Sequence, residues 1–183
     1  MKSSEKEKPV PTKEQRQAAD PSHSAWVAAS AGSGKTQVLV DRVIRLLLDG
    51  AAPDAILCLT FTKAAAAEMS NRLFKRLSGW IGIDDAELTN ELLVLGLPSV
   101  DSKTRNAARR LFARALETPG GLKIQTIHSF CERLLQLFPV ESGMAPGFRV
   151  MEEQEARELF REALLKSLVS EDPITKSAWG FLE

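Results

Sequence analysis

The stretch Ala29-Ser30-Ala31-Gly32-Ser33-Gly34-Lys35-Thr36 constrains this chain more than any other. It follows a short apolar run, Ala25-Trp26-Val27-Ala28, and opens an amphipathic helical pattern. Strand, glycine-bearing turn and helix in that order build a phosphate cradle. Backbone N–H groups at the turn and the positive end of the helix dipole point at one spot. Lys35 brings an ammonium for β- and γ-phosphate oxygens, and Thr36 a hydroxyl for a magnesium ion. Gly32 and Gly34 permit close backbone approach and dihedrals closed to other residues. Ala29 stands where the general pattern has its first glycine. The bland alternative is a solvated Gly/Ser-rich turn with an exposed lysine. The flanking strand and helix weigh against it, so residues 29–36 are expected to bind a nucleoside triphosphate, ATP, with Mg2+.

The rest of the chain alternates between helical and strand patterns. Thr12 to Ala19 reads as a short helix. After the loop, Val38, Leu39, Val43, Leu46 and Leu47 give the helix its apolar face, with Asp41, Arg42 and Arg45 polar. Gly50 and Pro53 end it. Ala55 to Thr60 is a continuous apolar run and predicts a second strand, buried on both faces. A helix follows from about Lys63 to Trp80, rich in good helix formers. Residues 84–119 form a helical insertion with a stripe of Ala108, Leu111, Phe112, Ala115 and Leu116. Arg105, Arg109, Arg110 and Arg114 lie off that stripe, a solvated face first and a nucleic-acid or partner contact second.

Leu122 to Thr126 predicts a third strand. The helix after it carries Ile127, Phe130, Cys131, Leu134, Leu135 and Phe138 on one face, and Pro139 stops it. A last helix starts near Glu152, with Ala156, Leu159, Phe160, Ala163, Leu164 and Leu168 apolar. This order predicts an α/β fold, a parallel sheet with right-handed crossovers. Three strands are few for a phosphate-loop sheet. Ser177 to Phe181 is apolar and lacks a stop signal, so an incomplete piece of a longer protein is expected.

The 183 residues carry no formal net charge and are 44% hydrophobic, enough for one packed domain of ordinary size. No apolar run is long enough to span a bilayer. Residues 1–11 read as a solvated, disordered tail rather than a secretory signal. Cys58 and Cys131 lie in apolar patterns and read as buried small hydrophobes. A cytoplasmic protein is expected.

Two further constellations sit at strand ends. Leu59-Thr60 runs into Phe61-Thr62-Lys63, and the third strand ends in Thr126-Ile127-His128-Ser129-Phe130. Open α/β sheets bind ligands at that carboxyl edge. An accessible Phe61 can stack on a base, while the Thr62 hydroxyl and the helix start can hold a phosphate. The plainer alternative is a core Phe61 with Thr62 as helix cap. His128 falls off its helix's apolar stripe, which argues against a core histidine; a cap-plus-loop role stays open for Thr126 and Ser129.

Taken together, these motifs resemble the N-terminal motor domain of the UvrD/Rep-type superfamily-1 DNA helicases, a RecA-like P-loop fold. Thr12 to Ala19 is similar to that family's Q motif, with Gln15 as the adenine reader. One amide can donate to adenine N7 and accept from its N6 amino group, which rejects guanine. Thr60 to Met69 and Thr126 to Leu135 resemble its motifs Ia and Ib, which implies DNA contacts from Phe61, Thr62, Thr126, His128 and Ser129. Many relatives carry Asn-Lys after Thr-Phe-Thr, whereas Lys63-Ala64 stands here.

Residues 26–36, 59–69 and 123–135 are most similar to the AddA branch, the helicase-nuclease subunits related to RecB. That resemblance implies DNA break repair, single- or double-stranded DNA ends as substrate, and an AddB-like partner protein. It places residues 12–150 in the ATP-binding domain and 151–183 at the start of a helical subdomain. The chain has no Asp-Glu metal-binding strand after the third helix and none of the later arginines that stabilise phosphoryl transfer. The 183 residues alone are therefore expected to be inactive. The competing reading is a truncated nucleotide-binding module that does no work.

Overall fold

The computed structural model describes residues 10–30 and 32–169. Most of the expected tail, Ala31 and the stretch Ser177 to Phe181 lie outside them. Two compact units divide the chain, Met1–Phe130 and Cys131–Glu183.

In the first unit, α1 (Lys13–Ala18) is followed by α2 (Lys35–Leu48), a 3-10 turn (Pro53–Ala55) and β1 (Leu57–Thr60). Then come α3 (Lys63–Gly82), α4 (Asp85–Val94), α5 (Ser102–Glu117) and β2 (Lys123–Thr126), and α6 (Ile127–Leu137) crosses into the second unit. β1 and β2 pair in parallel, from Leu57 with Lys123 to Thr60 with Thr126. The helices α3, α4 and α5 form the crossover between them. The expected α/β alternation and both of these strands are present.

The core lies between α2, α3, α4 and α5. Ile44, Leu47, Leu73, Leu77, Trp80, Leu88, Leu92 and Ala108 are buried there, and each buried leucine contributes roughly 1.5–3 kcal/mol. Phe74 meets Phe112 edge to face at 6.2 Å between ring centres. The end of α2 is set by Gly50 at φ 99°. Its N–H reaches Leu47 O at 3.2 Å and the N–H of Ala51 reaches Leu46 O at 3.0 Å, the paired bonds that close a helix on a left-handed glycine.

Several expectations need correction. Residues 25–28 form no strand; Trp26 is 95% exposed. A strand exists through its ladder, and neither edge of the two-stranded sheet takes this segment up. β1 is covered on one face only. Cys58 and Ile124 pack on the core, while Leu57 and Leu59 on the other face are exposed. On α2, Leu39 is exposed, and Val40, Ile44 and Asp41 are buried instead. α2 packs against α1, α3 and α5, so its covered arc is wider than one stripe.

Asp41, 5% exposed, pairs with Arg76 of α3 and accepts from Gln37 Nε2 at 2.8 Å. Arg76 in turn lies 5.8 Å from the Trp80 ring centre, and Trp80 Nε1 donates to Glu91 of α4 at 2.7 Å. The buried Asp41–Arg76 pair thus opens a chain of contacts that joins three helices.

The arginines of α5 are not a free basic face. Arg114 donates to the carbonyls of Leu47, Gly50 and Ala51 at 3.4, 3.0 and 3.0 Å. Arg109 bonds Asp85 at 2.7 Å and Ile83 O at 2.8 Å, and Arg105 pairs with the same Asp85 at 3.2 Å. Arg109, followed by Arg105, holds the Asp85 carboxyl below the usual carboxylate range. Leu116 is exposed.

The second unit holds the rest of α6, α7 (Pro139–Ser142) and α8 (Glu153–Val169). A bidentate pair, Arg149 with Glu155 at 2.9 Å on both arms, fastens the approach to α8. Among the described residues the apolar stripes of α6 and α8 are largely exposed, with Ile127 and Phe130 half-buried. α6 has no buried residue, and Leu134, Leu135, Phe138, Leu159, Phe160 and Leu164 are exposed. Cys131 is exposed as well, and only Cys58 is half-buried, its thiol pushed up by that burial.

Candidate functional site

Two glycines shape the loop at the start of α2. Gly32 has φ 80° and Gly34, the N-cap, φ 87°, both in the left-handed region. The loop folds on itself through Ser33, whose N–H and hydroxyl both reach Ser30 O, at 3.3 and 2.7 Å. Lys35 turns back over the loop and donates to the carbonyls of Ala29 and Ser30, the latter at 2.8 Å. Thr36 follows on the first turn of α2. Lys35 and Thr36 thus open α2 directly behind the glycine-shaped loop, at the helix start whose first N–H groups lack intrahelical partners.

Gln15 meets this loop directly. Its Nε2 donates to Ser33 O at 3.1 Å. A Cβ at position 34 would come within 3.2 Å of that nitrogen and press on the Gln15 amide, while the positive φ is what calls for glycine there. The other end of the amide, Oε1, accepts from Thr12 N–H at 2.9 Å, while Thr12 Oγ1 accepts from Gln15 N–H at 3.3 Å. Thr12 and Gln15 therefore form a capping box at the start of α1.

The end of α1 and the turn after it are held by two arginines of α2. Arg42 donates to Ala18 O at 3.1 Å, Asp20 O at 2.6 Å and His23 O at 2.7 Å. Arg45 donates to Arg16 O at 3.1 Å and pairs with Asp20 at 3.2 Å. The Ser22 N–H, then the Ser22 hydroxyl and Arg45, keep the Asp20 carboxyl down at about 2. In the sequence Arg42 and Arg45 read only as a polar face, and this clasp is invisible there. Backbone carbonyls carry no residue-type signal, so nothing in the sequence marks them as partners.

The second region is the carboxyl rim of the sheet. Because Thr60 pairs with Thr126, the segments that follow them leave from the same edge. Phe61 is 84% exposed. Thr62 caps α3 by accepting from Ala65 N–H at 3.1 Å, so the accessible ring and the capping threonine occur together. Thr126 is 7% exposed; its hydroxyl meets Ser129 Oγ at 2.9 Å and accepts from Ser129 N–H at 3.1 Å. His128 is exposed to solvent. Among the described residues no hydrogen bond links this rim to the phosphate loop.

Comparison with known proteins fits this geometry. Residues 11–178 match the family model described as UvrD/REP helicase N-terminal domain. Among curated proteins, the chain is similar to the A subunit of the ATP-dependent helicase/nuclease of Desulforudis audaxviator, 42% identical over 75% of this chain and 10% of that protein. The protein of the same name in Desulforamulus reducens is 38% identical over 78% of the chain and 10% of its own length. That of Lactobacillus acidophilus is 34% identical over 87% of the chain and 12% of its own length. The chain thus spans about a tenth of the length of these relatives. A match that runs from α1 past α8, over a glycine-shaped loop on the first long helix, settles the assignment: the chain belongs to the UvrD/REP helicase N-terminal domain family and to its P-loop α/β class.

Proposed function

We propose that this chain is the ATP-binding opening segment of an AddA-like, DNA-dependent motor, acting in double-strand break repair beside an AddB-like partner. The observation that carries the reading is the meeting of Gln15 with the glycine-shaped loop, in a chain of this family. A base reader and a phosphate cradle on adjoining backbone are what selective binding of ATP needs.

In this reading the N–H groups of residues 32–36 and the Lys35 ammonium bind the β- and γ-phosphates. Lys35 exchanges the carbonyls of Ala29 and Ser30, and the Ser33 N–H its bond to Ser30 O, for phosphate oxygens. The Thr36 hydroxyl would hold Mg2+, which would offset phosphate charge. Gln15 reads adenine. Phe61 stacks on a base of single-stranded DNA, with Thr62, Thr126, His128 and Ser129 along the same track; the Thr62 and Thr126 hydroxyls act there through the helix starts they cap. β1 and β2 are two strands of a RecA-like sheet, residues 12–150 belong to its domain, residues 151–183 open a helical subdomain, and the protein works in the cytoplasm. Among the described residues no helix is long and apolar enough to cross a membrane.

The test is made on the full-length protein. Lys35→Ala is expected to abolish ATP binding and turnover, measured by equilibrium titration and phosphate release; unchanged values for both reject the reading. Phe61→Ala is expected to weaken single-strand binding by roughly 1–3 kcal/mol, with the melting temperature unmoved because the ring is exposed. A lowered melting temperature with full DNA affinity would turn Phe61 into a packing residue.

A further inference from the structure

We infer that adenine selectivity depends on a locked orientation of the Gln15 amide, and that the backbone N–H of Thr12 is the group that locks it. The inference rests on the reading of Gln15 as the base reader and adds the residue that makes that reading selective.

A carboxamide has two N–H donors and an oxygen with two lone pairs. In Gln15 one of each is already used. Oε1 accepts from Thr12 N–H at 2.9 Å, and Nε2 donates to Ser33 O at 3.1 Å. Only an acceptor can face the first partner and only a donor the second, so the two ends of the amide cannot trade places. One N–H and one lone pair remain, which is the complement of adenine N7 and N6.

Guanine offers two acceptors, N7 and O6, on the same edge. A free glutamine could turn its NH2 group toward both. The locked one can do so only by giving up Thr12 and Ser33 together. Discrimination therefore comes less from what Gln15 can bind than from what it cannot rotate to reach.

Three features hold the lock in place. The capping box fixes χ angles of Gln15 against its own helix start. Gly34 carries no Cβ, which would otherwise sit 3.2 Å from Nε2 and press on the amide. Arg42 and Arg45 fasten the far end of α1 to α2, the helix that carries the loop.

The lock is broken without touching the glutamine. Thr12 has φ −66°, which proline accepts. Thr12→Pro removes the N–H and the cap hydroxyl; Thr12→Ala removes the hydroxyl alone. An amide-to-ester replacement at residue 12 removes the N–H and keeps the hydroxyl, and it serves if the proline variant does not fold. ATP and GTP compete for a fluorescent methylanthraniloyl-ADP probe on the full-length protein, giving a Kd ratio for each form.

Gln15→Ala is expected to abolish the preference for ATP. Thr12→Pro and the ester are each expected to reduce it by up to about tenfold, the upper end of what one hydrogen bond contributes. Thr12→Ala should keep the ratio within about twofold while lowering the melting temperature, as loss of a cap does. A parent ratio retained by Thr12→Pro or the ester, with Gln15→Ala deprived of it, overturns the lock and leaves the base reading standing. A ratio retained by Gln15→Ala, or a parent that binds ATP and GTP alike, removes the base reading and the lock with it.

Discussion

Helices α3 and α6 begin alike and end differently. Each follows a parallel strand, and each is capped by the threonine before it, Thr62 or Thr126. Each carries an apolar stripe legible in the sequence. α3 buries Ala66, Met69, Leu73, Leu77 and Trp80, whereas α6 buries none of its residues. An amphipathic pattern states what a helix needs to cover; it does not supply the cover. α3 has α5, α2 and both strands against it. The stripe of α6 has no such layer among the described residues, so its start depends heavily on the cap.

This contrast can be broken in three places. The largest effect is expected at Asp41→Ala, which removes the nearer of the two carboxylates that face Arg76 and leaves Glu91 at 3.9 Å. A buried pair deprived of one partner costs about 3–5 kcal/mol, read as a shift in the urea midpoint. A shift under about 1 kcal/mol, no more than a surface pair gives, would mean that Glu91 and water take up the Arg76 charge in place of Asp41.

Next come two leucines. Leu73→Ala should cost about 2–5 kcal/mol, and Leu134→Ala, on the bare stripe, no more than about 0.5 kcal/mol. Equal losses in paired melts would show that α6 is covered in solution. The smallest difference separates the two caps. Thr62→Ala should cost about 1 kcal/mol and Thr126→Ala nearer 2 kcal/mol, because the second also strands Ser129 beside a buried position. A larger loss at Thr62 would reverse the view that α6 depends on its cap.

Much of the site was legible because it is local. Gly32 and Gly34 stand where the turn needs positive φ, and Lys35 and Thr36 follow on the helix they open. The first parallel strand showed as an apolar run ahead of a helical pattern, the second as the short alternating stretch Leu122 to Thr126 ahead of another. What could not be read depends on distant partners. Ala25 to Ala28 has strand composition and no ladder. Asp41 looked like a surface charge because Arg76 lies 35 positions on. Arg109 and Arg114 looked solvated because their acceptors include main-chain carbonyls of other elements. The capping box of Thr12 and Gln15 was visible as a spacing, yet that spacing alone does not say that the same amide also reaches Ser33.

The clasp between α2 and α1 has a mechanical consequence. Lys35 opens α2, and Arg42 lies two turns further on, roughly 10 Å along the axis. One stiff rod thus carries the phosphate grip at its tip and the tether of the base reader along its shaft. A tilt of α2 would carry α1 with it, because Arg42 and Arg45 bond its carbonyls. In the proposed reading, phosphate loop and base reader are therefore linked through a single helix, so a disturbance at one end is felt at the other.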